Sequence, residues 1–170
     1  MVYIIDIMIT VGIITVSDKG SRGERKDLSS EEIRKLIPKI PGEVVSYTII
    51  PDEEPDIVKT LISYADEKHV DLIVTSGGTG LSPRDVTPQA TRKVIENEIP
   101  GMAEAMRFES LKETSFGMLS RGIVGTRGNS LIINLPGSPK AVRENFSVLI
   151  PVIPHALDKL RGDPSECGSL

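Results

Sequence analysis

The chain of 170 residues has no tryptophan, three phenylalanines, three tyrosines, two histidines and one cysteine. Each scarcity closes off something. With so little aromatic bulk, the core must be aliphatic. A structural zinc site needs about four Cys or His ligands, and His69, His155 and Cys167 are too few. A lone Cys167 excludes an internal disulfide and points to a reducing compartment, read here as the cytoplasm. There is no basic excess either: the formal charge is −4, the wrong sign for a general nucleic-acid or anionic-membrane surface. Nor is there a long apolar run. The opening MVYIIDIMITVGIITVSD is broken by Asp6 and falls short of the ~20 residues of a membrane span. It also lacks the basic start of a signal peptide, and Met8 offers a second start inside it.

What is present is an alternation of apolar runs and helical patterns. Ile9 to Val16 reads as a strand buried on both faces. Ser29 and Glu32 form a capping box that opens a helix toward Ile37. Strands follow at Val44–Ile50 and Asp71–Thr75, separated by a helix with Pro55 in its first turn. Thr87-Pro88 predicts a helix running through Glu98, and a further helix spans Met102–Glu113. Ile123–Thr126 and Ser130–Asn134 flank a Gly128-Asn129 turn, which predicts a hairpin. Helices over Lys140–Leu149 and to Leu160 close the chain, with residues 163–170 expected to fray. The expectation is one three-layer α/β domain over 1–170, with a mostly parallel sheet flanked by helices.

In such folds ligands bind beyond the carboxyl ends of the strands. The segments VSD, PDEE, SGGTG and NLPGSP all follow strands, so they are expected to converge on one sheet edge. The SGGTG loop, Ser76 to Gly80, leads from a strand into a helix, where backbone N–H groups can hold a phosphate. It is neither a Walker loop nor a dinucleotide fingerprint, and a permissive turn remains the alternative. Asp85 and Asp52 each have two readings, as Mg²⁺ ligands beside bound phosphates or as loop and helix-start acids. Asp18 and Asp27 add two acids on the first loop. Gly137 and Ser138 suit either a ligand approach or a helix cap, and Arg121 and Arg127 either a phosphate clamp or the surface. No His lies in any of these loops, so a hydrolytic triad is unsupported. Acids and glycines without a nucleophile suit metal-assisted phosphoryl or nucleotidyl transfer.

The blocks TVSD (15–18), IIPDE (49–53), TSGGTGLSPRDVTPQAT (75–91), MLSRGIVGTRG (118–128) and LIINLPGSPKAVRENF (131–146) resemble the molybdenum-cofactor adenylyltransferase family. That family includes the bacterial Mog and MoaB proteins and the G domain of animal gephyrin. The resemblance implies a homotrimer that transfers AMP from ATP to the terminal phosphate of molybdopterin, with Mg²⁺, releasing pyrophosphate. It further implies hand-over of the product to a separate molybdate-insertion protein. By motif position, Asp52 and Asp85 would be catalytic and hold the metal. Gly77, Gly78, Thr79, Gly80, Thr87, Gly137 and Ser138 would bind nucleotide or pterin, with Ser17, Asp18, Asp27 and Arg121 as further contacts. Ser30 stands where the family commonly has Gly in a D-x-S-G pattern. The competing expectation is a pterin-binding trimer that stores or passes on the cofactor without using ATP.

Overall fold

The computed structural model describes residues 8–164. Of the terminal expectations, those on residues 1–7 and 165–170, Cys167 included, lie outside that range. Five residues before it ends, Lys159 already meets the Asp163 side chain, at 3.4 Å.

The elements run β1 (Ile9–Val16), α1 (Asp18–Ser21), α2 (Leu28–Leu36), β2 (Gly42–Ile50), α3 (Glu54–Ile62), β3 (Leu72–Ser76), α4 (Thr87–Arg92), β4 (Asn97–Glu98), α5 (Pro100–Leu111), β5 (Val124–Arg127), β6 (Ser130–Leu135), α6 (Pro139–Leu149) and α7 (Ile153–Leu160). They build a six-stranded sheet in the order β2-β1-β3-β6-β5-β4. The pairs β1/β2, β1/β3 and β3/β6 are parallel, and the β5–β6 hairpin and β4 add antiparallel pairings at one edge. Alternate side chains of the central strands fill two separate cores, as the period-2 geometry of a strand requires. Val11, Ile13, Val74 and Ile133 pack with residues of α2, α5, α6 and α7, and Ile14, Ile73 and Ile132 pack with α3 and α4. Helices therefore cover both faces, giving the expected three layers.

Two local expectations are corrected. The cap of α2 is Asp27, whose carboxylate accepts the Ser30 N–H at 3.0 Å, and not a Ser29–Glu32 box. Glu32 turns outward instead to Lys35 and Arg143. The helix starting at Thr87 ends at Arg92. Beyond it the Glu96 and Ile99 N–H groups donate to Thr126 and Val124 carbonyls at 2.7 Å, so pairing with β5 outweighs a helical pattern that would have run through Glu98. Pro100 then occupies the first turn of α5, where its missing N–H costs nothing.

The chain leaves β1 for β2 on one side and returns to β3 on the other. The crevice between the carboxyl ends of β1 and β3 is thus the topological switch point of the sheet.

Candidate functional site

A cavity of about 390 Å³ opens above this switch point. Ser17, Asp27, Asp52, Gly77, Gly78, Asp85, Gly137 and Ser138 line it, so the four strand-following segments do converge. Asp18, Thr79, Gly80, Thr87 and Arg121 are not among its lining residues, and each has a supporting place instead.

The glycine loop is pinned from several sides. The Gly77 N–H donates to the Leu135 carbonyl at 3.1 Å, while the Gly77 carbonyl accepts the Thr87 hydroxyl at 2.9 Å. Gly77 and Gly78 have φ of 101° and 65°, conformations that glycine adopts without penalty. A Cβ on Gly77 would lie 2.3 Å from the Val16 carbonyl oxygen, and one on Gly78 would lie 2.3 Å from Thr87 Oγ1 and 3.3 Å from Asp52 Oδ1. Arg121, read as either a phosphate clamp or a surface group, turns its guanidinium on the loop itself. It donates to the Gly80 carbonyl at 2.7 Å and the Asp85 carbonyl at 2.5 Å, and its own N–H reaches Thr79. Arg127 lies elsewhere, paired with Asp66 at 2.7 Å. Thr87 is fully buried and serves the loop's shape.

Two carboxylates face the cavity differently from the rest. Asp52 Oδ2 accepts the Asp18 N–H at 2.8 Å, and Asp18 Oδ1 accepts the Asp52 N–H at 3.0 Å, a reciprocal lock between the loops after β1 and β2. Asp85 Oδ2 accepts the Ser82 N–H at 2.9 Å. No protein donor among the described residues reaches Asp52 Oδ1 or Asp85 Oδ1. Burial pushes the Asp52 carboxyl above the usual carboxylate value; the Asp18 N–H opposes this, and the Asp18 and Asp85 charges add to it. Two acids, each with a spare oxygen, fit Mg²⁺, which takes one or two carboxylates and completes its shell with water and substrate phosphates. Among the described residues no group of three His, Cys, Asp or Glu could hold a metal alone.

Asp27 is satisfied within the protein. It accepts hydrogen bonds from Thr15 Oγ1 (2.6 Å), Tyr47 OH (2.7 Å), Ser29 Oγ (2.8 Å) and the Ser30 N–H. Burial alone would raise its pKa, but these donors outweigh burial and hold it at about 2. The folded value lies below the unfolded one, so this stabilisation is present above pH ~4 and is lost as pH falls toward 2. Linkage bounds it at about 2 kcal/mol, and solvent screening of a half-exposed carboxylate reduces that to about 1 kcal/mol. Asp27→Asn keeps an oxygen for the Ser30 N–H but puts an NH2 donor where Oδ2 accepts from Thr15 and Tyr47, so it is expected to cost about 1–2 kcal/mol at neutral pH and to flatten the acid limb of stability. Urea unfolding at pH 7 and at pH 3 checks both.

Ser17 caps α1 through the Gly20 N–H at 3.0 Å, and Ser138 caps α6 through the Ala141 N–H at 3.2 Å. Gly137 packs its backbone against Gly77, where a Cβ would come 3.4 Å from the Gly77 Cα. Sequence reasoning passed over Arg25 and Lys26, which also line the cavity. Lys26 pairs with Glu31 at 2.9 Å, whereas Arg25 has no acidic partner among the described residues. Their signal was the ERK run in a loop that follows a strand.

A doubly wound sheet with glycines, acids and helix caps gathered at its switch point defines an α/β protein built to take phosphorylated ligands. The chain belongs to the family described as the probable molybdopterin binding domain, which it matches over residues 12–155. It is 43% identical over 158 residues to the molybdopterin adenylyltransferase of Helicobacter pylori, covering 91% of this chain and 89% of that one. It is 37% identical to the molybdopterin adenylyltransferase of Escherichia coli K12 over 139 residues, 80% of this chain and 71% of that one. Among solved structures, the molybdopterin biosynthesis enzyme MoaB of Thermus thermophilus superposes with a TM-score of 0.86 at 51% identity, covering 93% of this chain and 99% of that one.

Proposed function

We propose that the protein is a molybdopterin adenylyltransferase of molybdenum-cofactor biosynthesis, transferring AMP from ATP to the terminal phosphate of molybdopterin and releasing pyrophosphate. One observation carries the reading: the glycine loop, both open-sided acids and the Gly137-Ser138 turn surround a single cavity. The attacking phosphate has a second pKa near ~6, so it is ionised at neutral pH and needs no dedicated base. One P–O bond forms at the α-phosphorus and the bond to pyrophosphate breaks.

The residues have to bring two polyanions together. Gly77 and Gly78 let the backbone come close to phosphate, and Arg25 adds a cation at the cavity wall. Asp52 and Asp85 would hold Mg²⁺ through Oδ1 of each. When bound, the metal offsets the charge of the phosphates that approach one another.

The homotrimer expected from the resemblance is supported by an exposed apolar patch. Phe108 at the end of α5 is 69% exposed, and Phe116 and Met118 on the 3-10 turn over 115–119 are 77% and 67% exposed. Monomers rarely leave such clusters in water. Sedimentation at micromolar concentration is expected to give a trimer, and Phe116→Glu is expected to lower its mass; a monomeric wild type would refute this. A cytoplasmic location and transient contact with a molybdate-insertion protein complete the proposal. No helix among the described residues is long and apolar enough to cross a membrane.

The decisive experiment is single-turnover chemistry with purified protein, molybdopterin, ATP and Mg²⁺, followed by chromatography. Adenylylated pterin formed only with Mg²⁺ is the expected result. Pterin binding with ATP untouched would make the protein a carrier. Pyrophosphate release without pterin would make it a nucleotide pyrophosphatase.

A further inference from the structure

We propose that Arg84 is a positioning residue for AMP transfer: through Asp18 it holds Asp52 and Asp85 in register across the cavity. The proposal rests on the functional reading above. Arg84 is not among the residues lining the cavity, yet its guanidinium joins three of the four segments that make it. Nε donates to Asp18 Oδ2 at 3.1 Å, Nη2 to Asp18 Oδ1 at 2.9 Å and Nη1 to Glu53 Oε1 at 2.8 Å. The fork on Asp18 is bidentate, an arrangement that fixes orientation as well as distance.

Asp18 passes that orientation on. Its Oδ1 accepts the Asp52 N–H at 3.0 Å and its own N–H donates to Asp52 Oδ2 at 2.8 Å. Asp52 is thereby gripped at both its backbone and its carboxylate, with Oδ1 left toward the glycine loop. Arg84 directly precedes Asp85 in the chain, and Glu53 directly follows Asp52. One side chain therefore ties the loop of one acid to the loop of the other. Without it, Asp18, Asp52, Glu53 and Asp85 would share one rim without the cation that pairs with two of them, and like charges would push the loops apart. The same geometry explains why Asp18 stands outside the cavity that its motif position predicted for it: its carboxylate is the link between Arg84 and Asp52.

The test uses Arg84→Gln, Asp18→Asn and the double variant in the full chain. Each single change is expected to lower kcat by about 10- to 100-fold, the range for partners that orient metal-holding groups. The KM for molybdopterin is expected to stay within about twofold, because binding contacts shared by ground and transition state are untouched. The double variant is expected to be no slower than the worse single one, since the two side chains act as one unit. Arg84→Lys, which keeps the charge but not the fork, should recover part of the loss. A second readout needs no substrate. Amide hydrogen exchange at Asp18 and Asp52 should accelerate about tenfold or more in Arg84→Gln, with the amide of Val74 in β3 unaffected.

Unchanged kcat, multiplying losses in the double variant, or unchanged exchange at the two amides would each overturn the assignment. A wild-type protein that makes no adenylylated pterin overturns the functional reading alone. The exchange rates then decide whether Arg84 holds the Asp18–Asp52 lock.

Discussion

Asp85→Asn is expected to slow single-turnover formation of adenylylated molybdopterin by about 10²–10³-fold, the usual loss when one group that stabilises transition-state charge is removed. The melting temperature is expected to stay where it is. Both halves follow from how the side chain is held. Asp85 is part-exposed on the loop before α4, and its internal bond is the Ser82 N–H donated to Oδ2. An amide oxygen in the same place accepts that bond equally well, and Arg121 holds the backbone carbonyl of residue 85 whatever the side chain. What the amide cannot supply is the second oxygen: an NH2 donor takes the place of Oδ1 and cannot ligate a cation. Mg²⁺ prefers carboxylate to neutral amide oxygen, so the variant keeps the cavity's shape and loses half of its anionic metal set.

Asp52→Ala would confound the result, because Asp52 also locks the first loop through the Asp18 N–H. Asp85 is therefore the cleaner probe. Rapid-quench measurement of product per site, at saturating ATP and molybdopterin, reads the effect directly. Full activity in Asp85→Asn would remove this residue from the metal site and leave Asp52 as its one acid.

The parts of this molecule that were legible beforehand are those in which local chemistry and tertiary structure agree. Ile9–Val16 lies between two neighbours and under helices on both faces, so an unbroken Ile/Val run was sufficient to mark it. Ser138-Pro139 is both a strong local cap and the actual start of α6. The glycine loop stood out because three glycines in four positions exceed the needs of a turn, and two of them do carry positive φ. Legibility failed where a distant partner decided. The segment after Arg92 has helical composition, yet it is drawn into pairing with β5 more than twenty residues later in sequence. Arg121 has no local mark that separates a substrate clamp from a clamp on the protein's own carbonyls. Asp18 and Asp27 looked alike in sequence, as acids on one loop. Only the fold gives one of them to Arg84 and Asp52, and gives the other to Thr15, Tyr47 and the cap of α2.

Gly77→Ala should reveal how much the site depends on one backbone approach, and it carries the largest stability effect foreseen for this chain. Two penalties coincide. The φ of 101° is one that L side chains rarely adopt, which costs about 1–3 kcal/mol. The new methyl would also lie 2.3 Å from the carbonyl oxygen of Val16, at the end of β1. That oxygen belongs to backbone, so relief requires β1 or the loop to move, and forced movement of packed structure costs about 1–3 kcal/mol more. A combined loss of about 3 kcal/mol would lower the melting temperature by about 6–12 °C for a chain of this size. The loop is the softer partner. It is expected to lift away from β1, stretching the bonds from Gly77 to Leu135 and Thr87 and taking the nucleotide cradle with it, so that ATP binding falls even in the fraction that remains folded.

Gly128→Ala supplies the control. Gly128 also has positive φ, 52°, at the tip of the β5–β6 hairpin, but a Cβ there meets nothing within 4 Å. Its substitution should cost only the conformational penalty, about 1 kcal/mol, and leave ATP binding intact. Calorimetric melting of both variants, with ATP titrated into each below its transition, separates strain from collision. Equal losses in the two would mean that the close approach of the loop to Val16 contributes nothing. A much greater loss at Gly77 would place the requirement for glycine in the contact between the first strand and the nucleotide loop, where the switch point of the sheet becomes the floor of the cavity.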